Sequence, residues 1–395
     1  MSAIIEVPGP GANVAVLRKA RGWGQDRLAA SAGISKSLLG KIERGERALS
    51  QGVGASLAHA LGTTLDEVLG RAPVHGDDES KLRELTRAIR RFDLPREPET
   101  TETEVATRLR EMVTLRERAD LRGVMTNLPL LVSAATNHAH ATDTPAAWAR
   151  VAEAYSTVYW LAARHRWMTL ADLATTKQKL AAQQADPVTA AIAARDEAGL
   201  YLNHGDFEDG LAVVDNGLVR VERDAPAGPG RLYALGVLHL RGLTLAGRLG
   251  DRRTADLHIE KAWDLSEELG QDASRLGVHF GPQDTAVHIV ATSADLGRHE
   301  NAIATMDDLH ALERAGRLTL PATRTSPLHM NVARSKLALG DRDGALEELE
   351  EAWALAPQMA RVHPTAQELL RVLTSLHKRS NPRLTTLARR AKIQF

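Results

Sequence analysis

Four turns recur along the second half of the chain: His204-Gly205-Asp206, Leu249-Gly250-Asp251, Leu296-Gly297-Arg298 and Leu339-Gly340-Asp341. Their spacing, about 45 residues, is that of a helical-hairpin repeat. Five residues after each glycine stands a small residue: Gly210, Ala255, Ala302 and Ala345. Nine after stand Val214, Ile259, Met306 and Leu349, and twelve after stand Gly217, Ala262, Leu309 and Ala352. A weaker fifth copy turns near His165, with Leu170 and Ala174 in register. The glycine ends one helix, and the small residue lets the next helix approach it closely. The three later positions share one helical face. One such hairpin cannot bury its apolar face alone, so the copies must stack into a solenoid.

Composition agrees with an all-α chain. Hydrophobic residues make up 43% and aromatic residues only 4% of the 395, so the core is built from Leu, Ala and Val, and Ala and Leu lead the helix scale. No convincing strand pattern stands out, and no apolar run is long enough for a membrane span. Met1 to Gly11 lacks the regions of a signal peptide, which points to the cytoplasm. The absence of cysteine excludes disulfides and thiolate zinc sites. Alanine and arginine abundance, with arginine far outnumbering lysine, hints at a bacterial source of high GC content.

Formal net charge is zero, but charge is unevenly placed. Between Asn13 and Arg47, the basic residues Arg18, Lys19, Arg21, Arg27, Lys36, Lys41, Arg44 and Arg47 face only the acids Asp26, Glu43 and Glu46. Such a local excess is the electrostatic footprint of a nucleic-acid face. The same stretch has a helix start at Gln25, an Ala29-x3-Gly33-Ile34 turn and an Ile42-Glu43-Arg44-Gly45 ending. The register runs on through Ala58 to Gly62 and Leu65 to Leu69.

These motifs resemble the XRE family, the Cro/repressor type of helix-turn-helix. The resemblance implies a five-helix, lambda-repressor-like domain over residues 12–71. Helix 2, from Gln25 to about Ala32, would cross the DNA backbone, and helix 3, from Ser35 to about Arg44, would enter the major groove. By resemblance, Gln25 meets a phosphate, Lys36, Ser37 and Lys41 read bases, and Arg44 and Arg47 meet the backbone. Ser35 is suited to capping helix 3, where free amides can also face a phosphate. Leu28, Ala29, Ile34, Leu39, Ile42, Leu57 and Leu61 fit the core. Two departures stand out. Gly24 replaces the usual Ser or Thr cap of helix 2, and helix 4 carries Gly52 and Gly54, each costing roughly 0.5–1 kcal/mol against alanine. The head is therefore expected to lean on something else.

A linker with a short helix is expected over residues 72–103. Leu82, Leu85, Ile89 and Phe92 lie on one face of that helix, and the Pro- and Glu-rich stretch from Asp93 to Thr103 would act as a hinge. The remaining residues, 104–395, form the repeat domain. Its unit from Ser326 to Pro357 resembles the tetratricopeptide (TPR) pattern, and the likeness spans roughly Ala146 to Pro364. In that register Tyr155, Tyr159, Arg195, Asn203, Thr244, Arg248, Asp295 and Arg334 would face a concave groove. The aromatic cluster Tyr155, Tyr159, Trp160 and Trp167 reads either as packing between hairpins or as a ligand floor.

The combined architecture resembles XRE regulators with TPR-like C-terminal domains, including the peptide-sensing RRNPP group. That resemblance implies a homodimeric transcription regulator on double-stranded, palindromic operator DNA, with a signalling peptide or small molecule in the groove. A DNA-bound adaptor whose groove docks another protein is the alternative. No metal is expected, since His138, His140, His279 and His288 fall in no ligand pattern. No cofactor and no enzymatic activity are expected, since phosphate-binding loops and nucleophile motifs are missing.

Overall fold

The computed structural model describes residues 9–70, 79–95, 100–275, 277–376 and 381–391. The middle of the expected hinge and the first residues of the expected linker lie outside these.

Five helices build the head: α1 (Pro10–Ala20), α2 (Gln25–Ser31), α3 (Lys36–Glu43), α4 (Gln51–Leu61) and α5 (Leu65–Val68). Side chains of Ser35 and Ser50 cap α3 and α4, and Thr64 with Glu67 forms a capping box on α5. Gly24 offers α2 no side-chain cap, as its chemistry requires. Leu28, Ala29, Leu39, Ile42, Leu57 and Leu61 are buried together with Val14, Leu65 and Val68, and Ile34 packs at their edge. Helices α1 and α3 meet at Gly11, where any Cβ would overlap the Ile42 carbonyl.

The repeat domain begins with α6 (Glu79–Arg90), α7 (Glu102–Glu117) and α8 (Leu121–Thr142). Helix α6 is the short helix expected in the linker. It packs on α8, with Leu85, Ile89 and Phe92 in the largest core. The ends of the expected hinge are likewise tied down. The Phe92 and Thr100 carbonyls lie 2.7 Å and 2.9 Å from ring nitrogens of His140 and His138. Five hairpins follow: α9 (Pro145–His165) with α10 (Met168–Ala182), α11 (Pro187–His204) with α12 (Phe207–Asp224), α13 (Pro229–Leu249) with α14 (Arg252–Leu269), α15 (Pro282–Asp295) with α16 (His299–Arg314), and α17 (Ala322–Ala338) with α18 (Arg342–Leu355). Helices α19 (Pro357–Val362), α20 (Pro364–Leu376) and α21 (Pro382–Ala391) finish the array.

The periodic turn glycines explain this stacking. Gly205, Gly250, Gly297 and Gly340 all take the left-handed backbone that ends a helix. Ala255, Ala262, Ala302, Ala345 and Ala352 are buried where the outer helices press on the inner ones. Helices α9, α11, α13, α15 and α17 each touch the next, giving one continuous inner layer. The even-numbered partners cover it, and α14 and α16 bury far fewer of their own residues than α13 and α15 do. The two ends of the array then meet. Gln358 of α19 donates to Asp120 Oδ1 (3.0 Å) and accepts from the Arg122 amide (3.0 Å), over a small buried cluster of Ala119, Ala356 and Met359.

One element departs from the all-helical expectation. Strands β1 (Ala273–Arg275) and β2 (Val278–Phe280) form an antiparallel hairpin between α14 and α15. Three residues are too few to show an alternating pattern, so the sequence hides them. Phe280 is fully buried, and its ring fills the space a Cβ on Gly236 would need.

Candidate nucleic-acid interface and the interior of the solenoid

Ser35, Lys36, Ser37 and Lys41 are all exposed on α3, on the side away from its buried Leu39 and Ile42. The Ser35 hydroxyl accepts from the Leu38 amide at 3.1 Å and so fixes the start of this helix. Lys36 pairs with Asp26 at 2.9 Å, both side chains well exposed. Such a contact is worth little in water and yields readily to a phosphate. Arg44 is exposed and clasps Glu46 at 2.7 Å; Arg47 is exposed and near enough to His299 to lower its pKa, after burial.

Gln25, at the start of α2, has a partner within the head. Its Nε2 donates to Glu43 Oε2 at 2.7 Å. Glu43 also takes Arg18 in a two-pronged pair, at 2.7 Å and 3.0 Å, with both side chains over nine-tenths buried. Burial pushes the Glu43 carboxyl up, but the bonds from Arg18 and Gln25 outweigh it and hold it below the usual range. The effect is to lock α1, α2 and α3 in one geometry, which sets the angle of α3.

The head rests on the solenoid. It covers the C-terminal ends of the inner helices α9, α11 and α13 and reaches α20. Gly52 lies against the Arg248 carbonyl so tightly that a Cβ would overlap it, and Ala55 packs beside Gly205. The Leu49 amide donates to Glu368 at 3.3 Å. Thus the glycine that weakens α4 by itself is the one that admits the solenoid backbone. Asp66 of α5 pairs with Arg166, the residue that ends α9.

That pair continues inward. Arg166 donates to the Asn203 side chain (2.8 Å) and carbonyl (3.1 Å). Asn203 donates to the Tyr159 hydroxyl at 3.3 Å. The Tyr159 hydroxyl and Arg241 crowd the same face of Gly199, and Arg241 Nε donates to the Arg195 carbonyl at 3.1 Å. Of the residues expected in the groove, Tyr159, Arg195 and Asn203 are therefore brought together. Arg248, Asp295 and Arg334 form a second set, with Asp295 between the two guanidiniums at 3.0 Å and 2.6 Å. Thr244 bonds back to the Leu240 carbonyl of its own helix. Tyr155 does not line the groove: it is fully buried, with its ring edge-on to Phe92 at 5.6 Å. Trp167 stacks on His165, and Trp160 packs under Arg164.

Around Arg195 the inner layer gathers further arginines that sequence reasoning passed over. Arg116, Arg164, Arg241 and Arg324 come from α7, α9, α13 and α17, and each feels the charge of Arg195. Burial first, and then the neighbouring arginines, pull Arg164 down to about 9 and Arg116 and Arg241 down to about 10, against the upward pull of Asp196 on the latter two; all three are still protonated at neutral pH. Burial also drives His279 down to about 4 and His288 well below its ordinary value. One signal was available in the sequence. Arg164, Arg241 and Arg324 have no acidic residue within four positions, so no i,i+4 partner accounts for them.

Residues 14–68 match a family model described as helix-turn-helix. No curated relative matches the chain. Among solved structures, PrgX in complex with iCF10 overlays with a TM-score of 0.33 at 10% identity, covering 88% of this chain and 97% of that one. A PrgX point mutant gives 0.27 at 11%, covering 84% and 95%, and PrgX alone gives 0.23 at 12%, covering 96% and 98%.

Proposed function

The chain is a DNA-binding regulator with an XRE-type helix-turn-helix head, and we propose that its TPR-like solenoid senses a peptide or small molecule and sets the orientation of that head. The observation that carries this reading is the hydrogen-bonded route from Asp66 in the head through Arg166 and Asn203 to Tyr159, whose hydroxyl lies against the same glycine as Arg241 of the interior. A ligand alters such an equilibrium only by binding one arrangement better than the other. Interior groups that also hold the head supply that differential contact. The recognition residues stay exposed while the head is docked, so docking governs where the head points rather than whether its face is hidden.

In this reading the protein acts in the cytoplasm of a bacterium as a homodimer on a palindromic operator. Two heads must then reach half-sites about 34 Å apart or a multiple of it. Head orientation fixes that spacing. Selection from a randomised DNA library tests it with wild type and Asp66→Asn. The wild type should select one half-site spacing and the variant a broad range, with the same half-site sequence in both. Identical spacing in the two would overturn the reading.

A further inference from the structure

We propose that the solenoid interior binds a small multivalent oxyanion, a phosphate ester or a polycarboxylate, between Arg116, Arg164, Arg195, Arg241 and Arg324. The inference deepens the sensor reading by naming the chemical class of its ligand, and it rests on that reading for its regulatory meaning.

Five guanidinium groups from five separate helices belong to this region: Arg116 and Arg164 lie over the same Trp160 ring at 5.3 Å and 4.1 Å, Arg241 reaches the Arg195 carbonyl, and the carboxylates they feel are Asp196 and Asp284. Both carboxylates are already engaged. Asp196 accepts from Ser156 (2.6 Å), Gln178 (3.0 Å) and Arg195 (2.6 Å). Asp284 pairs with Arg324 at 3.0 Å, with His288 beyond it at 3.7 Å. The site therefore carries a surplus of positive charge in surroundings drier than water, where like charges repel most strongly.

Two of the arginines are held by groups that orient them without neutralising them. Arg164 donates to the Trp160 carbonyl at 2.9 Å and lies over its ring at 4.1 Å. Arg241 donates to the Arg195 carbonyl. Glycines let two of the guanidiniums lie directly on the backbone: a Cβ on Gly277 would stand 3.1 Å from the Arg116 guanidinium carbon, and one on Gly199 would stand 2.9 Å from Arg241 Nη2. The Arg195 and Arg324 side chains retain 16% and 18% exposure, so these two reach solvent at the edge of the cluster. Pre-oriented planar forks of this kind are suited to phosphate and carboxylate oxygens, which they grip two bonds at a time.

Calorimetry of the full-length chain with pyrophosphate, citrate and, as a neutral control, trehalose tests the site. Pyrophosphate or citrate should bind at one site per chain and trehalose should not; the preferred anion separates a phosphate ligand from a carboxylate one. Arg241→Gln and Arg164→Gln should each weaken binding roughly tenfold or more, because each removes a buried charged donor. Arg241→Lys keeps the charge and the fold but loses the fork, and should fall between. The unliganded Gln variants should melt no lower than wild type, since they relieve repulsion. Absence of binding by both anions, or unchanged affinity in both Gln variants, would overturn the proposal. Operator affinity with and without the anion is read separately. Binding without any effect on DNA leaves the anion site standing and removes the sensor reading instead.

Discussion

Asp66, in the last helix of the head, sets its carboxylate on the guanidinium of Arg166, and Arg166 holds the left-handed backbone that ends α9. A left-handed conformation costs a non-glycine residue roughly 1–2 kcal/mol. Bonds to Asp66 and Asn203 offset that cost. Arg166→Gly removes the strain and the pair together. Amide exchange should therefore quicken in α4 and α5 while α9 and α10 keep their protection. Equal loosening of α9 would show that Arg166 serves only the solenoid.

Gly52→Ala should act in two opposite directions. Within an isolated helix, alanine gains roughly 0.5–1 kcal/mol over glycine. Against the Arg248 carbonyl the new methyl has no space. An excised head, residues 9–70, should melt higher as the variant than as wild type. The full-length variant should instead become sensitive to protease between head and solenoid. A full-length variant as resistant as wild type would mean the contact yields at little cost.

Lys36→Ala and Lys41→Ala test the recognition helix. A base contact is worth about 1–3 kcal/mol and its loss relaxes one position of the site, whereas a phosphate contact lowers the salt slope by about one. Titration at several salt concentrations separates the two. Asp26→Asn should strengthen binding slightly, because it frees Lys36 and removes a negative charge beside the DNA. Operator affinity unchanged in both lysine variants would remove α3 from the interface.

Glu153 gives the fold a pH dependence. Burial pushes its carboxyl up to about 7, despite Arg150 and Arg275, each 3.9 Å away. A carboxyl raised in the folded state stabilises the fold while protonated. That contribution is complete below its ordinary value and drains away as pH rises through 7. Its full span is of the order of 3 kcal/mol. Glu153→Gln should flatten stability against pH between about 5 and 7, and the variant should exceed wild type above pH 8. Denaturant melts across that range would show parallel curves if Glu153 is charged throughout.

Much of this molecule was legible in the sequence where one residue type answers one local demand. The turn glycines and their small partners at +5 pointed to the stacking, and Ser35 marked the start of α3. The short linker helix was visible as an apolar face, but its partner α8 was not, because a face does not name what covers it. The Gln25 bond to Glu43 was not legible, since Glu43 lies eighteen residues away and only the fold brings the two together. Helical register put Tyr159, Arg195 and Asn203 near one another, but it did not show that Tyr155 turns fully inward against Phe92. Arg116 and Arg324 are separated by the whole inner layer in sequence and met only through its curvature.

The closure made by Gln358 bears on how the array comes apart. In a straight stack each hairpin touches only its neighbours, so the terminal units fray first and stability accumulates unit by unit. Here α19 is bonded to the start of α8, so the hairpins between them are tied across their curve as well as to their neighbours. Loss of any one hairpin opens the whole circuit, so melting becomes a single cooperative event.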